Sequence, residues 1–321
     1  MEGALTMRKS MIIPVLLLSL LLTACGGKEA SSSRNPFWPE LDMDAEETVL
    51  VVDGREIPAW RYAYWLALAC SSMESVCADR GILVDWDMPL EQGTLGEYAE
   101  QQALEDTVLY AVVENWAEEQ MILLMEEPRS EGVTDPKGFP MEEWQLQELD
   151  AVGRKYREMI SWVQSTEDGR LENFAQENGY LTVRRTVFAV TENREEAQRR
   201  AEDTFIRINN AVDKEAVFDA LADAEGAPDA LTVRLGDGTL SVAEEEAVFR
   251  LEPGQISGVL EIENGFCILR RLPPDREALA PLWVESELLR RTETASVERT
   301  DAFEKLSAAG IGKALSVEKE G

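Results

Sequence analysis

The chain contains no histidine in its 321 residues. That absence excludes His-based catalytic triads and dyads, histidine zinc sites and a proximal-histidine haem. Cysteine is nearly as scarce. Cys25, Cys70, Cys77 and Cys267 are too few and too scattered for a disulfide framework or a CxxC redox site. Cys70 and Cys77 fall in a segment expected to be helical, where a rise of ~1.5 Å per residue parts them by roughly 10 Å. A disulfide needs Cα atoms within about 7 Å, so the two are expected to stay unpaired. Positive charge is also in deficit, with 31 Lys+Arg against 62 Asp+Glu and a formal net charge of −31. Binding a phosphate backbone requires Lys and Arg to displace counterions, so a nucleic-acid partner is excluded. No metal and no cofactor is expected: Asp42-Met43-Asp44 and Asp85-Trp86-Asp87 lack the Gly and distal Glu of a calcium loop. Glu244-Glu245-Glu246 reads as a first helical turn whose acids suit the helix dipole.

What is present begins with an address. Arg8-Lys9, the apolar run Met11 to Leu22 and Leu22-Thr23-Ala24-Cys25 form an export signal over residues 1–24. The run is too short for a bilayer span, which takes ~20 apolar residues. Leu-Thr-Ala-Cys resembles the lipobox of bacterial lipoproteins, which implies lipidation at Cys25 and a membrane partner reached through that anchor. Residues 25–45 include the polar, Ser-rich Lys28 to Arg34 and read as a flexible tether. An acidic body is repelled by anionic headgroups, so it is expected to hang from the lipid. The remaining composition, 45% hydrophobic and 29% charged, is that of a folded chain of about two domains.

The first part, residues 46–178, reads as mostly helical. Thr48 to Val52 with Asp53-Gly54 predicts a short strand and turn. Pro58 is placed in the first turn of a buried helix running to about Ala78, with Trp60, Tyr62, Tyr64, Trp65, Leu66 and Leu68 around its axis. Thr94-Leu95-Gly96-Glu97 has the form of a capping box and opens a helix to about Gln120. On it Leu95, Tyr98, Gln102, Leu104, Val108, Val112 and Trp116 keep helical spacing. The Pro128–Pro140 loop leads to a helix over about 142–163, and a short helix near 171–178 ends at Gly179, a C-cap.

Residues 179–273 change character. A strand at 181–190 (LTVRRTVFAV) precedes two helices, about 195–209 and 214–223, and a short strand near 231–235. Ser241-Val242-Ala243-Glu244 is a second capping box, and Asn264-Gly265 joins strands at 259–262 and 266–272 as a hairpin. A final helix over about 277–306 and a weakly structured end complete residues 274–321, which are expected to pack back on the first part. The fold class is α+β: a helical domain with an inserted α+β domain.

Phe249-Arg250-Leu251-Glu252-Pro253-Gly254-Gln255-Ile256-Ser257-Gly258-Val259 followed by Asn264-Gly265-Phe266-Cys267-Ile268-Leu269-Arg270 resembles the C-terminal half of parvulin-type peptidyl-prolyl isomerases. Gly254 and Gly258 punctuate a turn into a strand. With the lipobox, the helical part and the closing helix, the chain is similar to the PrsA- and SurA-like extracytoplasmic foldases. The resemblance implies parvulin-like folding around a proline pocket. It places Thr186 and Cys267 at the two family histidine positions, Leu240 and Glu244 at the pocket's Met and Phe positions, and Phe249 at the head of the matching run, with Leu240, Glu244 and Phe249 as the substrate-binding residues. A Glu on an apolar wall is costly or admits water. The barrier to prolyl isomerisation is ~18–20 kcal/mol of amide resonance, and a catalyst need only bind the twisted amide best. With both histidines and the pocket Phe replaced, efficient catalysis is not expected.

The reading is therefore a membrane-anchored extracytoplasmic folding factor that binds unfolded exported polypeptides. The alternatives are a working isomerase with a pocket rebuilt around Thr186, Leu240 and Cys267, and a ligand-binding or structural lipoprotein that keeps only the fold.

Overall fold

The structure, a computed structural model, describes residues 37–124, 136, 139–227 and 230–316. The export signal, Cys25, most of the tether and most of the Pro128–Pro140 loop lie outside the described residues. The described chain divides into two compact units: one holds the residues up to Met159 together with those from Glu287 onward, and the other is Ile160–Ser286.

The first unit starts with α1 (Phe37–Glu40) and the hairpin β1 (Thr48–Val52)–β2 (Arg55–Pro58). Asp53 and Gly54 have φ of 47° and 83°, the doubly positive pair that a two-residue hairpin turn demands. Pro58 serves as the N-cap of α2 (Ala59–Asp79) instead of entering its first turn. Trp60, Arg61, Tyr62, Ala63 and Leu66 are all buried, so the first half of this helix is enclosed on every side, as its all-round apolar pattern predicts, whereas its last turns are mostly exposed. The Thr94 box is formed in α3 (Leu95–Glu119): Glu97 N–H donates to Thr94 Oγ1 at 3.2 Å and Thr94 N–H to Glu97 Oε2 at 2.9 Å. The buried face of α3 is built largely of Ala99, Ala103, Ala111 and Ala117, whose small size lets α2 approach closely, whereas Tyr98 lies exposed. Helix α4 (Glu143–Ser165) follows.

The C-terminal segment departs from expectation. Helix α9 (Arg276–Thr294) stops well short of 306 and gives way to β7 (Val297–Arg299), a 3₁₀ turn (Asp301–Lys305) and α10 (Ala308–Ser316). Strand β7 joins β1 to make a three-stranded sheet of order β2-β1-β7. The end is ordered as well: Ala308, Ile311 and Ala314 are buried as α10 packs on α2 and α3. The cause is long-range. Asp53 Oδ1 accepts the Ser296 N–H at 2.8 Å, and Thr300 Oγ1 donates to the Thr48 carbonyl at 2.9 Å. These partners lie 243 and 252 positions apart in sequence, so no local periodicity announces them.

In the second unit α5 (Arg170–Asn178) ends on Gly179 at φ 71°. Then come β3 (Tyr180–Ala189), α6 (Arg194–Asn209), α7 (Lys214–Ala224), β4 (Leu231–Arg234), α8 (Val242–Phe249), β5 (Leu260–Ile262) and β6 (Gly265–Leu272). The sheet is antiparallel in the order β4-β3-β6-β5. The predicted order of elements is present, with ends shifted by a residue or two. Gly265 (φ 155°) is obligatory, because a Cβ there would collide with the Phe188 carbonyl oxygen. Gly254 at φ 88° needs glycine's freedom, while Gly258 has ordinary φ and open space around it.

Two apolar layers sandwich this sheet. Phe188, Phe266 and Ile268 pack against Ala197, Ala201 and Ile208 of α6 and Phe218 and Ala222 of α7. Val183, Cys267 and Leu269 pack with Leu240 and with Val248 of α8. The chain is mixed helix and sheet, an α+β protein.

Candidate functional site

Cys267 sits in the middle of β6, opposite Val187 of β3 and Leu260 of β5. Helix α8 crosses that face with its N-terminus beside the thiol. The Ser241 capping box sets the geometry: the Ser241 N–H donates to Glu244 Oε2 at 2.8 Å and the Glu244 N–H donates to Ser241 Oγ at 3.4 Å. Folding the Glu244 side chain back to its own cap aims the second oxygen at the sheet. There Oε1 accepts the Cys267 S–H at 3.4 Å and meets Arg185 Nη1, also at 3.4 Å. Cys267 and Glu244 are both buried, and Arg185 stays half-buried at the edge of the cluster.

Glu244 therefore neither wets the interior nor lies unpaired in an apolar wall. Burial pushes its carboxyl upward, but the Ser241 amide and hydroxyl, the Cys267 thiol and the Arg185 guanidinium together hold it below the ordinary glutamate value. Cys267 goes the other way: burial raises its pKa strongly, and the adjacent Glu244 charge raises it further. In this geometry the thiol is a hydrogen-bond donor to Glu244.

The residues singled out in the sequence are only partly brought together. Cys267, Leu240 and Glu244 share one buried neighbourhood on the α8 face. Phe249, at the end of α8, is 68% exposed and outside that cluster. Thr186 pairs with Ile268, one step out of phase with Cys267, so it faces α6 and α7 on the opposite side of the sheet. Its hydroxyl is buried there with no hydrogen-bond partner. A one-residue shift exchanges the faces of a strand, and the residue that shares the face of Cys267 is Val187. Cys25 lies outside the described residues.

Sequence reasoning passed over two groups. Arg185 and Val187, both half-buried, form the solvent-reachable border of the Cys267 cluster; the run VRRTVFA over 183–189 shows no apolar/polar alternation that would have marked them. On the other face Arg184 and Arg270 pair directly across β3 and β6, both buried. Such like-charge neighbours are costly unless neutralised. Helix α7 supplies the neutralisation: Asp219 bonds both arginines, at 3.0 Å to Arg184 Nη1 and 2.6 Å to Arg270 Nη1, while Asp223 pairs with Arg184 and Glu215 with Arg270. Glu215, Asp219 and Asp223 are spaced four apart, one stripe of the helix, and that spacing was visible in the sequence.

Two surface depressions lie in the first unit. One of about 570 Å³ is lined by Asp53, Asn115, Glu118, Glu119, Arg290 and Arg291, among others. Another of about 750 Å³ is lined by residues of the 38–47 stretch. Neither includes a residue of the Trp60–Leu68 stretch of α2. No group of His, Cys, Asp and Glu side chains among the described residues has the arrangement to hold a metal ion, and no described helix is long and apolar enough to cross a membrane.

No protein-family model matches the chain, and no curated protein does. Among solved structures it is similar to the peptidylprolyl isomerase PrsA from Bacillus cereus, at 14% identity over 87% of this chain and 94% of that one, with a TM-score of 0.25. It is also similar to one of the SurA-like chaperones from Campylobacter jejuni, PEB4 and Cj1289, at 12% identity over 77% and 92% of the two chains and a TM-score of 0.23. A third likeness is to the foldase protein PrsA from Lactococcus lactis, at 12% identity over 85% and 93% and a TM-score of 0.23. At scores this low the likenesses assign no role to any residue.

Proposed function

We propose that the protein is a membrane-anchored, extracytoplasmic folding factor that binds unfolded exported polypeptides, with its parvulin-like unit acting as a binding platform and not as an efficient isomerase. The observation that carries this reading is the state of the Cys267 cluster. The run from Phe249 to Arg270 supplies β5 and β6 of a β4-β3-β6-β5 sheet, and the parvulin resemblance of that run implies that a proline pocket would lie beside it. In that place every polar group faces another: Glu244 is bonded to Ser241, Cys267 and Arg185. An isomerase gains rate only from contacts made better to the twisted amide than to the planar one. A carboxylate engaged on both oxygens and a thiol committed to it are turned toward each other, which disfavours such contacts with a substrate amide. What remains accessible is the border of Arg185 and Val187, suited to holding an extended chain.

The anchor at Cys25 and the polar stretch Lys28 to Arg34 would keep this acidic body outside the membrane surface; the expected tether stops short of residue 45, because Phe37 of α1 is buried in the first unit. The deciding experiment measures two things on the purified protein: suppression of aggregation of an unfolded exported protein, and the cis-to-trans rate of a set of Xaa-Pro peptides. Suppression without acceleration is expected. A clear acceleration, lost on Leu240→Ala, would overturn the platform reading in favour of a rebuilt isomerase pocket. Neither activity would leave a structural or ligand-binding lipoprotein. Palmitate labelling that is lost on Cys25→Ser tests the anchor separately.

A further inference from the structure

Thirteen large hydrophobic side chains are exposed among the described residues, and five of them, Val76, Ile82, Leu83, Leu90 and Tyr98, fall within residues 76–98. These five occupy one end of the α2–α3 hairpin: the last turn of α2, the connection, and the first turn of α3. Single exposed apolar residues are ordinary, but concentration at one end of one element is not. Leu83 is 91% exposed.

The connection is not loose. Ile82 N–H bonds the Cys77 carbonyl at 2.9 Å beyond the αL residue Gly81, the arrangement that closes a helix and fixes the residue after it. Farther along, Gly96 N–H bonds the Trp86 carbonyl at 2.9 Å, Leu95 N–H the Met88 carbonyl at 3.0 Å, and Leu90 N–H the Gly93 carbonyl at 2.9 Å. Trp86 is packed against Gly96 and Gly312. The exposed side chains are therefore held out on a fixed backbone, which lowers the ordering cost of a partner.

Charge selects the partner. Asp79, Asp85, Asp87, Glu91 and Glu97 are all exposed in this same stretch, and Arg80 is its one basic residue. A second copy of the chain would bring the same carboxylates against these, and an anionic lipid surface would do likewise.

We infer that the 76–98 end of the α2–α3 hairpin is a docking surface for extended polypeptide segments in which aliphatic residues alternate with Lys or Arg. The apolar side chains supply affinity, and the surrounding carboxylates supply encounter rate and discrimination. The inference rests on the folding-factor reading and narrows it to a substrate class.

The test uses fluorescence anisotropy with the purified protein and two labelled peptides that share the same aliphatic residues, one flanked by Lys and one by Glu. The Lys-flanked peptide should bind about tenfold or more tightly at low salt, and the difference should shrink at high salt. Ile82→Ser/Leu83→Ser, at exposed positions that leave the fold intact by circular dichroism, should weaken that binding about tenfold. Asp85→Lys/Asp87→Lys should reduce or reverse the preference. Unchanged binding by both variants, with aggregation suppression intact in the parent protein, overturns this surface and leaves the folding factor standing. No peptide binding together with no suppression removes both. Concentration-dependent self-association, or partition onto anionic vesicles, that is lost in Ile82→Ser/Leu83→Ser would assign the surface to a second copy or to lipid and overturn the inference.

Discussion

The two faces of the four-stranded sheet in the second unit handle buried charge differently. On the α8 face a single carboxylate, Glu244, is turned inward by its own capping box and shared between Cys267 and Arg185. On the α6–α7 face two buried arginines are held by three carboxylates of α7, each at least a third exposed on its side chain. The first arrangement satisfies a buried carboxylate locally. The second fastens a helix to a sheet by charge where Phe218, Ala222 and Phe188 fasten it by packing. Alternating residues of one strand decide which face a side chain joins: Arg184 and Thr186 go one way, Arg185 and Val187 the other.

Breaking the charged fastening should have the largest effect. Asp219 bonds both arginines, so Asp219→Ala leaves Arg184 and Arg270 facing each other; urea unfolding should show a loss of about 2 kcal/mol, the buried-pair figure reduced for its partial exposure. Burial pushes the Asp219 carboxyl up, and Arg270 and Arg184 more than offset it, so its value sits below the usual carboxylate range. The stability it contributes is present above that usual range and is lost as pH falls through the lowered value. An Asp219→Ala protein should therefore show a flatter acid limb in a plot of midpoint against pH.

Strand alternation is tested by moving one residue. Thr186→His puts an imidazole into the packed α6–α7 face and should cost about 1–3 kcal/mol, whereas Val187→His, on the half-buried α8 face beside Cys267, should cost less than about 1 kcal/mol. Equal costs in chemical denaturation would contradict the register. The α8 cluster is gentler still to alter: Glu244→Gln keeps a capping box, loses the Arg185 charge partner, and should cost about 1 kcal/mol. Cys267 should stay unreactive to alkylating reagents in the folded wild type at neutral pH and react on unfolding.

The first unit offers a contrast in which satisfaction is incomplete. Asp106 of α3 is buried, its Oδ2 accepts only a long 3.4 Å bond from Gln102, and its Oδ1 has no partner. Burial, opposed by that bond and aided by Glu105, raises its pKa to about 7. A raised acid destabilises the folded state once it ionises, so stability should decline as pH rises from the usual aspartate value toward 7. Asp106→Asn should remove that slope in thermal melts taken across the window.

Much of the architecture was legible because its causes are local. The boxes Thr94–Glu97 and Ser241–Glu244, the Asn264-Gly265 turn and the Gly179 cap are signals of a few residues, and each lies where it was read. The C-terminus was not legible. Strand β7 exists through bonds to Asp53 and Thr48, and three residues pairing with a strand at the other end of the chain leave no pattern of their own. The candidate site was half legible: composition and motif pointed to Cys267, Glu244 and Leu240, but the face on which Thr186 lies depends on a pairing register that one sequence does not print.

The sequence by itself determined the absence of histidine chemistry, the acidic body and the places where helices start and strands turn, because these follow from residue types and from bonds within a few positions. The tertiary structure alone decided that Glu244 meets Cys267 and Arg185, that Val187 and not Thr186 meets Cys267, and that α10 closes on α2 and α3. Those outcomes depend on which distant groups share a few ångströms of low-dielectric interior, where a missing or present partner is worth kilocalories.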